Sequence, residues 1–118
     1  MLNYFHPFEF NRAELALERV RANLGSKLEG RVLQPQEPAT FQDLTLVHEA
    51  GYLKDLERNR PIAQVMEVPW LAAFPRSWIE EWFLTPALWS VAGSLMAART
   101  ALKVGGCLSL GGGFHHAK

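Results

Sequence analysis

At 118 residues the chain has the size of one small domain, and its 12 basic and 12 acidic residues balance to a formal net charge of +0. This balance lacks the excess of Lys and Arg that phosphate neutralisation requires, and no apolar run is long enough to span a bilayer, so nucleic acid and membrane are excluded as partners. A hydrophobic content of 48%, a single cysteine and no recognisable signal segment predict a folded, cytoplasmic domain without an intrachain disulfide.

The first element predicted along the chain is an amphipathic helix. Asn11 is a suitable N-cap with Glu14 in the first turn, and Gly25 is a suitable terminator. Four apolar residues recur at helical spacing between them: Ala13, Leu17, Val20 and Leu24. A short strand is predicted at 31–33, followed by a proline-rich surface loop.

The middle of the chain predicts shorter elements. Thr40 with Asp43 is expected to open a second helix, and a further short helix is predicted over 52–58. The proline-containing stretch 61–75 is interpreted as loop and extended chain.

A long helical pattern follows, in which Ser77 with Glu80 predicts a capping box and Thr85-Pro86 predicts a break and restart. Beyond Pro86 the small residues predict close packing of this helix on a sheet. Three tryptophans lie near one face of the pattern: Trp78, Trp82 and Trp89. Because an indole has a large apolar surface, burial in the core is the simpler interpretation of this face and a binding surface is the alternative.

The last residues carry the chemistry of the chain. The apolar run 107–110 predicts a buried strand, in which Cys107 would be packed, and Gly111 to Gly113 then lead to Phe114, His115 and His116. Glycines allow close approach of the backbone to a ligand, and an imidazole titrates near neutral pH, so this loop could present a general base. The alternative is a solvated chain end carrying two exposed histidines.

Other sites fail on spacing. The glycine run matches neither a phosphate loop nor a dinucleotide turn, and the scattered His and carboxylate residues do not form a zinc-binding pattern. We therefore expect no metal or other cofactor in this chain alone.

The segment Leu108 to Lys118 resembles the strand and tandem-histidine loop of the zinc-dependent histone deacetylases, in the arginase and deacetylase superfamily. Three upstream segments support the resemblance in the same order: residues 6–12 are similar to an H-P-x4-R element, residues 47–53 to a V-H-x3-Y-L segment, and Glu67-Val68-Pro69 to the class IV branch and its bacterial relatives.

The resemblance implies catalytic roles for the histidine pair. His116 matches the general base and acid of the family, and His115 its electrostatic partner. Four further residues match positions that line the substrate pocket or the internal channel: Gly112, Gly113, Phe114 and Arg12. Without the resemblance, Arg12 would be interpreted as a solvated side chain, and the resemblance marks His48 as a scaffold residue.

The zinc ligands and the oxyanion tyrosine of the family lie beyond the His-His loop and find no match in this sequence. The resemblance therefore implies that residues 1–118 form a single, incomplete deacetylase-like domain, inactive toward acetyl-lysine or a related acetylated amine. The chain would be the truncated N-terminal part of such an enzyme that needs a C-terminal portion, a free-standing oligomeric assembly module, or a module that binds a small acid without turnover.

The expected fold is α/β. It is a three-layer α/β/α arrangement with a small parallel sheet of two or three strands and four helices, which is the opening part of the arginase and deacetylase architecture. Apolar faces left open would be covered by self-association into a dimer or larger assembly.

Overall fold

The computed structural model describes residues 12–111 as helices joined by turns, and this range contains no strand. The α-helices of this range are α1 (Arg12–Leu24), α2 (Phe41–Leu44), α3 (Ala50–Asp55), α4 (Asn59–Val65), α5 (Arg76–Ile79) and α6 (Thr85–Val104). Turns of 3₁₀-helix cover Gly25–Leu28 and Pro69–Ala73, and a π-helical segment covers Glu80–Leu84.

The hydrophobic core lies between α4, the second 3₁₀ turn and α5. Its buried members are Ile62, Ala63, Leu71 and Ile79, and the Ile79 side chain is 0% exposed. The amide of Val68 donates to the carbonyl of Ala63 at 2.9 Å, which folds the chain back after α4. Full burial of one such aliphatic side chain stabilises a fold by about 1.5–3 kcal/mol.

The prediction of loop and extended chain over 61–75 is wrong. Pro61 is the third residue of α4, within the first turn, where a helix needs no backbone donor, so the proline does not interrupt it. The apolar residues after Pro61 adopt helical turns because Ile62 and Leu71 pack together in the core.

The first helix ends where the sequence predicted. Leu24 is its last residue, and Gly25 adopts a positive φ of 52° that a glycine allows without strain. However, α1 has no buried residue, and Leu15 and Leu24 remain 48% and 46% exposed. Ala16, Leu17 and Val20 on its apolar face are only partly buried.

The predicted cap of the second helix is confirmed. The amide of Asp43 donates to the Thr40 hydroxyl oxygen at 3.2 Å, and the amide of Thr40 donates to the Asp43 carboxylate at 2.8 Å. This reciprocal pair satisfies two backbone donors at the start of α2.

The predicted break at Thr85-Pro86 is absent, because α5, the π segment and α6 form one continuous helix. Pro86 has no N–H to donate within the helix, and the amide of Thr85 donates to the Glu80 carbonyl five residues earlier. The wider π turn thus accommodates the proline. The Ser77 capping box is also wrong: Pro75 is the N-cap, and Glu80 instead accepts from the Arg76 guanidinium at 2.7 Å.

The interpretation of the tryptophans as core is wrong. Trp70, Trp78 and Trp82 are 54%, 50% and 50% exposed, and Trp89 is 38% exposed. Ile79, next to Trp78 in sequence, takes the core position instead.

The predicted three-layer α/β/α fold with a parallel sheet is contradicted by residues 12–111. The candidate strands at 31–33 and 107–110 are irregular chain with a turn at residue 31 and a bend at residue 110, and neither is assigned as a strand. Apolar composition favours a strand only where a neighbouring strand completes the hydrogen-bond ladder. Cys107, predicted to be packed, is exposed, and Leu108 is 78% exposed.

Among residues 12–111, every helix is too short or too polar to cross a lipid bilayer.

Candidate functional site

Most of the predicted site lies outside the residues that the structure describes. This applies to Gly112, Gly113, Phe114, His115 and His116. Arg12 is the one predicted site residue within the described range, and it is the exposed first residue of α1. A shared site of Arg12 and the histidine pair therefore stays a prediction.

The backbone that leads to the histidine motif follows a defined path. Gly105 closes α6 in a left-handed conformation with φ of 90°, and its amide donates to the Ala101 carbonyl at 2.8 Å. The chain then returns along α6, because a Cβ atom at Gly111 would lie 3.7 Å from Oγ of Ser90. Helical rise places Ser90 roughly 20 Å from the end of α6, a span that six extended residues can cover.

Two serine hydroxyls hydrogen-bond to backbone carbonyls, one within residues 106–111 and one within α6. The Ser109 hydroxyl donates to the Gly111 carbonyl at 2.7 Å, and the Ser94 hydroxyl donates to the Ser90 carbonyl at 3.1 Å. Because Ser90 lies beside Gly111, which directly precedes the predicted motif, Ser90 is a second candidate site residue besides Arg12. Sequence reasoning did not single out Ser90, because no local pattern shows that the chain after α6 comes back to this residue.

The other described histidine packs against an aromatic ring. His48 precedes α3, and its ring centroid lies 5.2 Å from that of Tyr52 with a tilt of 37° between the planes. His48 is partly exposed. The scaffold role of His48 stays a prediction.

A cleft of about 280 Å³ lies between the proline-rich loop 35–40 and the middle of α6. Its charged lining residues are Glu37, Asp43 and Arg99, and Leu95 and Met96 form part of its apolar wall. The amide of Ala39 donates to the Leu88 carbonyl at 3.1 Å and fixes the loop to the helix.

Asp43 is already committed to helix capping. The Thr40 hydroxyl and then the Thr40 amide donate to its carboxylate and lower its pKa, and Arg99 adds a smaller effect in the same direction. A carboxylate held in its charged form by these donors is a weak base at neutral pH. The cleft therefore lies where the loop is fixed to α6, and its residues do not supply a catalytic base.

The described residues do not fit the zinc that the sequence resemblance implies. Within 12–111 no three His, Cys, Asp or Glu side chains converge on a position that could hold a metal ion.

Comparison with known proteins identifies the family. Residues 6–118 match the sequence model of the histone deacetylase domain. The chain is 31% identical over 111 residues to a curated protein of Arabidopsis thaliana named Histone deacetylase 2, and the aligned region covers 94% of this chain and 28% of that relative. No solved structure matches. A family match over nearly the whole sequence, including the tandem histidines, is decisive: the chain belongs to the histone deacetylase family.

Proposed function

We propose that the chain is the N-terminal part of a zinc-dependent deacetylase that hydrolyses acetyl-lysine or a related acetylated amine. The observation that carries this proposal is the family match over residues 6–118, because it includes Arg12 at one end and the Gly-Gly-Phe-His-His motif at the other. An exposed Cys107 thiol suits a reducing, cytoplasmic setting.

The contribution of this segment is proton transfer. His116 accepts a proton from the attacking water and returns it to the leaving amine, and His115 adjusts the basicity of His116 through charge or hydrogen bonding. The resemblance assigns Gly112, Gly113 and Phe114 to the acyl site and Arg12 to the channel behind it.

We further propose that the 118 residues alone do not hydrolyse acetyl-lysine. The chain spans 28% of the length of the relative, and its described part assembles no group of metal ligands. Proton transfer by two imidazoles contributes about 10²–10⁴-fold to a rate, which is too little for amide hydrolysis without an electrophile.

The test uses an acetyl-lysine peptide and zinc. The purified chain is assayed alone and again with the polypeptide that follows the matched region of the Arabidopsis relative. We expect that the chain alone does not hydrolyse the peptide and that the mixture does. In the mixture, His116→Ala should abolish hydrolysis, whereas the control variant His48→Ala should retain it. Hydrolysis by the chain alone, or hydrolysis that survives His116→Ala, contradicts the proposal.

A second candidate function is a free-standing oligomeric binding or assembly module derived from a deacetylase. The side chains of Trp70, Phe74, Trp78 and Trp82 favour it: they are 36–54% exposed, and exposed aromatic surface of this extent is typical of interfaces. A chain that forms a closed oligomer and leaves acetyl-lysine intact in the mixed assay would favour this module over the enzyme.

A further inference from the structure

Two segments that are distant in sequence meet the same part of α6. The amide of Ala39, in the proline-rich loop, donates to the Leu88 carbonyl at 3.1 Å. Two residues further along the helix, the hydroxyl oxygen of Ser90 lies 3.7 Å from the position of a Cβ atom at Gly111. The stretch 88–90 of α6 is therefore where the loop and the segment before the histidine motif both approach the helix.

The segment 106–111 has few other attachments to α6. Within the described part of the chain, the backbone hydrogen bond nearest to it runs from the Gly105 amide to the Ala101 carbonyl, and no backbone bond joins 106–111 to the helix. The hydroxyl of Ser109 donates to the Gly111 carbonyl at 2.7 Å, which is a bond within the segment. Side-chain contacts therefore decide where Gly111 lies relative to α6.

Ser90 supplies the polar group of α6 at this contact. Serine is a weaker helix former than alanine, because its hydroxyl competes for backbone groups. One turn later, the Ser94 hydroxyl bonds to the helix itself, donating to the Ser90 carbonyl at 3.1 Å. The hydroxyl oxygen of Ser90, in contrast, is the atom of α6 nearest to a Cβ at Gly111, and the Ser90 side chain is partly buried. A hydroxyl both donates and accepts, so it can bond a peptide group of the adjacent segment.

We propose that Ser90 is a positioning residue for the histidine motif. Its hydroxyl holds the backbone of Gly111 against α6 and thereby fixes where the chain enters residues 112–116. This inference rests on the proposed deacetylase function, in which His115 and His116 transfer the proton.

Proton transfer depends strongly on position, which is why such an anchor matters. A general base acts only within about 2.6–3.2 Å of the atom that carries the proton. A misplacement of about 1 Å lowers a rate by about 10²-fold. Gly111 is separated from His115 by three residues, so a shift of Gly111 carries through to the predicted base.

NMR spectroscopy of the full 118-residue chain tests the anchor without an activity assay. We expect nuclear Overhauser contacts between the Ser90 side chain and Gly111 in the wild type. Ser90→Thr keeps the hydroxyl and should retain these contacts, whereas Ser90→Ala should lose them and shift the Gly111 amide resonance. Ser94→Ala is the matched control, because it removes a hydroxyl that bonds to the helix, and it should leave the Gly111 resonance unchanged.

The assay with the C-terminal polypeptide, zinc and an acetyl-lysine peptide tests the effect on the reaction. Ser90→Ala should lower kcat at least about tenfold and leave KM within about twofold, because positioning of the base affects the transition state more than substrate binding. Ser90→Thr should restore kcat, and Ser94→Ala should match the wild type. A loss of folded chain, which circular dichroism reports, would lower the active fraction in Ser90→Ala and Ser90→Thr alike.

The two experiments separate failure of the anchor from failure of the proposed function. Equal effects of Ser90→Ala and Ser94→Ala in either experiment, or a wild-type chain without the Overhauser contacts, would overturn the proposal. A rise in KM at constant kcat in Ser90→Ala would overturn it as well. A wild-type mixture without turnover would contradict the deacetylase function, and the Overhauser contacts would then decide alone whether Ser90 anchors Gly111.

Discussion

The centre and the N-terminal region of this chain differ in what their apolar faces contact. From Asn59 to Leu84, short helices wrap around Ile62, Leu71 and Ile79 and form the hydrophobic core. From Arg12 to Leu28, a longer and more regular amphipathic helix buries no side chain. The more regular pattern therefore belongs to the region with less packing.

This difference shows that periodicity specifies a face but not its partner. A helix of 13 residues is marginally stable by itself in water, and most helix stability comes from burial of its apolar face. Two segments are predicted to carry or lead to site residues: α1, which begins with Arg12, and residues 106–111. Neither contains a fully buried side chain.

The largest loss of unfolding free energy is expected in the central region. Ile79→Ala removes the most buried side chain of the core and should lower the free energy of unfolding by about 2–5 kcal/mol, measured by urea denaturation. Leu15→Ala in α1 is the matched control and should change it by less than about 0.5 kcal/mol. A larger effect at Leu15 than at Ile79 would reverse the comparison.

An intermediate loss of unfolding free energy is expected at α2, which lies between the two regions in the sequence. Thr40→Ala removes the hydroxyl of the α2 capping box and should cost about 1 kcal/mol of unfolding free energy. Thr40→Ser keeps the hydroxyl and should retain most of the stability. Equal losses in both variants would show that the cap contributes nothing.

The same cap predicts a dependence on pH. The Thr40 donors lower the folded-state pKa of Asp43 below its ordinary value of 3.8, so the charged carboxylate favours the folded state. This contribution is complete above pH 3.8 and is lost as the pH falls through the lowered, folded-state value. Unfolding free energies measured from pH 2 to 6, a range of roughly two units about the pKa of an aspartate, should fall more steeply with acid in the wild type than in Asp43→Asn.

The smallest effect is expected at the end of α1. Leu24→Ala changes a residue that is 46% exposed, and the unfolding free energy should move by less than about 0.5 kcal/mol. Thermal unfolding followed by circular dichroism measures it. A loss above about 2 kcal/mol would reveal that α1 packs on a surface after all.

Features set by neighbouring residues were predictable from the sequence. Gly25 at the end of α1, the Thr40 and Asp43 cap and the glycine after α6 each depend on interactions within one turn of chain. The family was also accessible, because the histidine motif is local in sequence.

Features set by distant contacts were not predictable. The helices in 61–75 depend on the packing of Leu71 and Ile79 against Ile62. The predicted sheet would have needed strand partners, which the described residues do not supply. The position of Gly111 beside Ser90 required knowledge of where the chain turns after α6. The roles of His115 and His116 stay predictions.

Amide hydrogen exchange of the full chain tests most directly whether the core and the site-bearing segments are separate. We predict that amides of α4 and α5 exchange at least about tenfold more slowly than those of α1 and of residues 106–111, because local opening is easiest where packing is least. Equal protection of α1 and α4 would contradict this account.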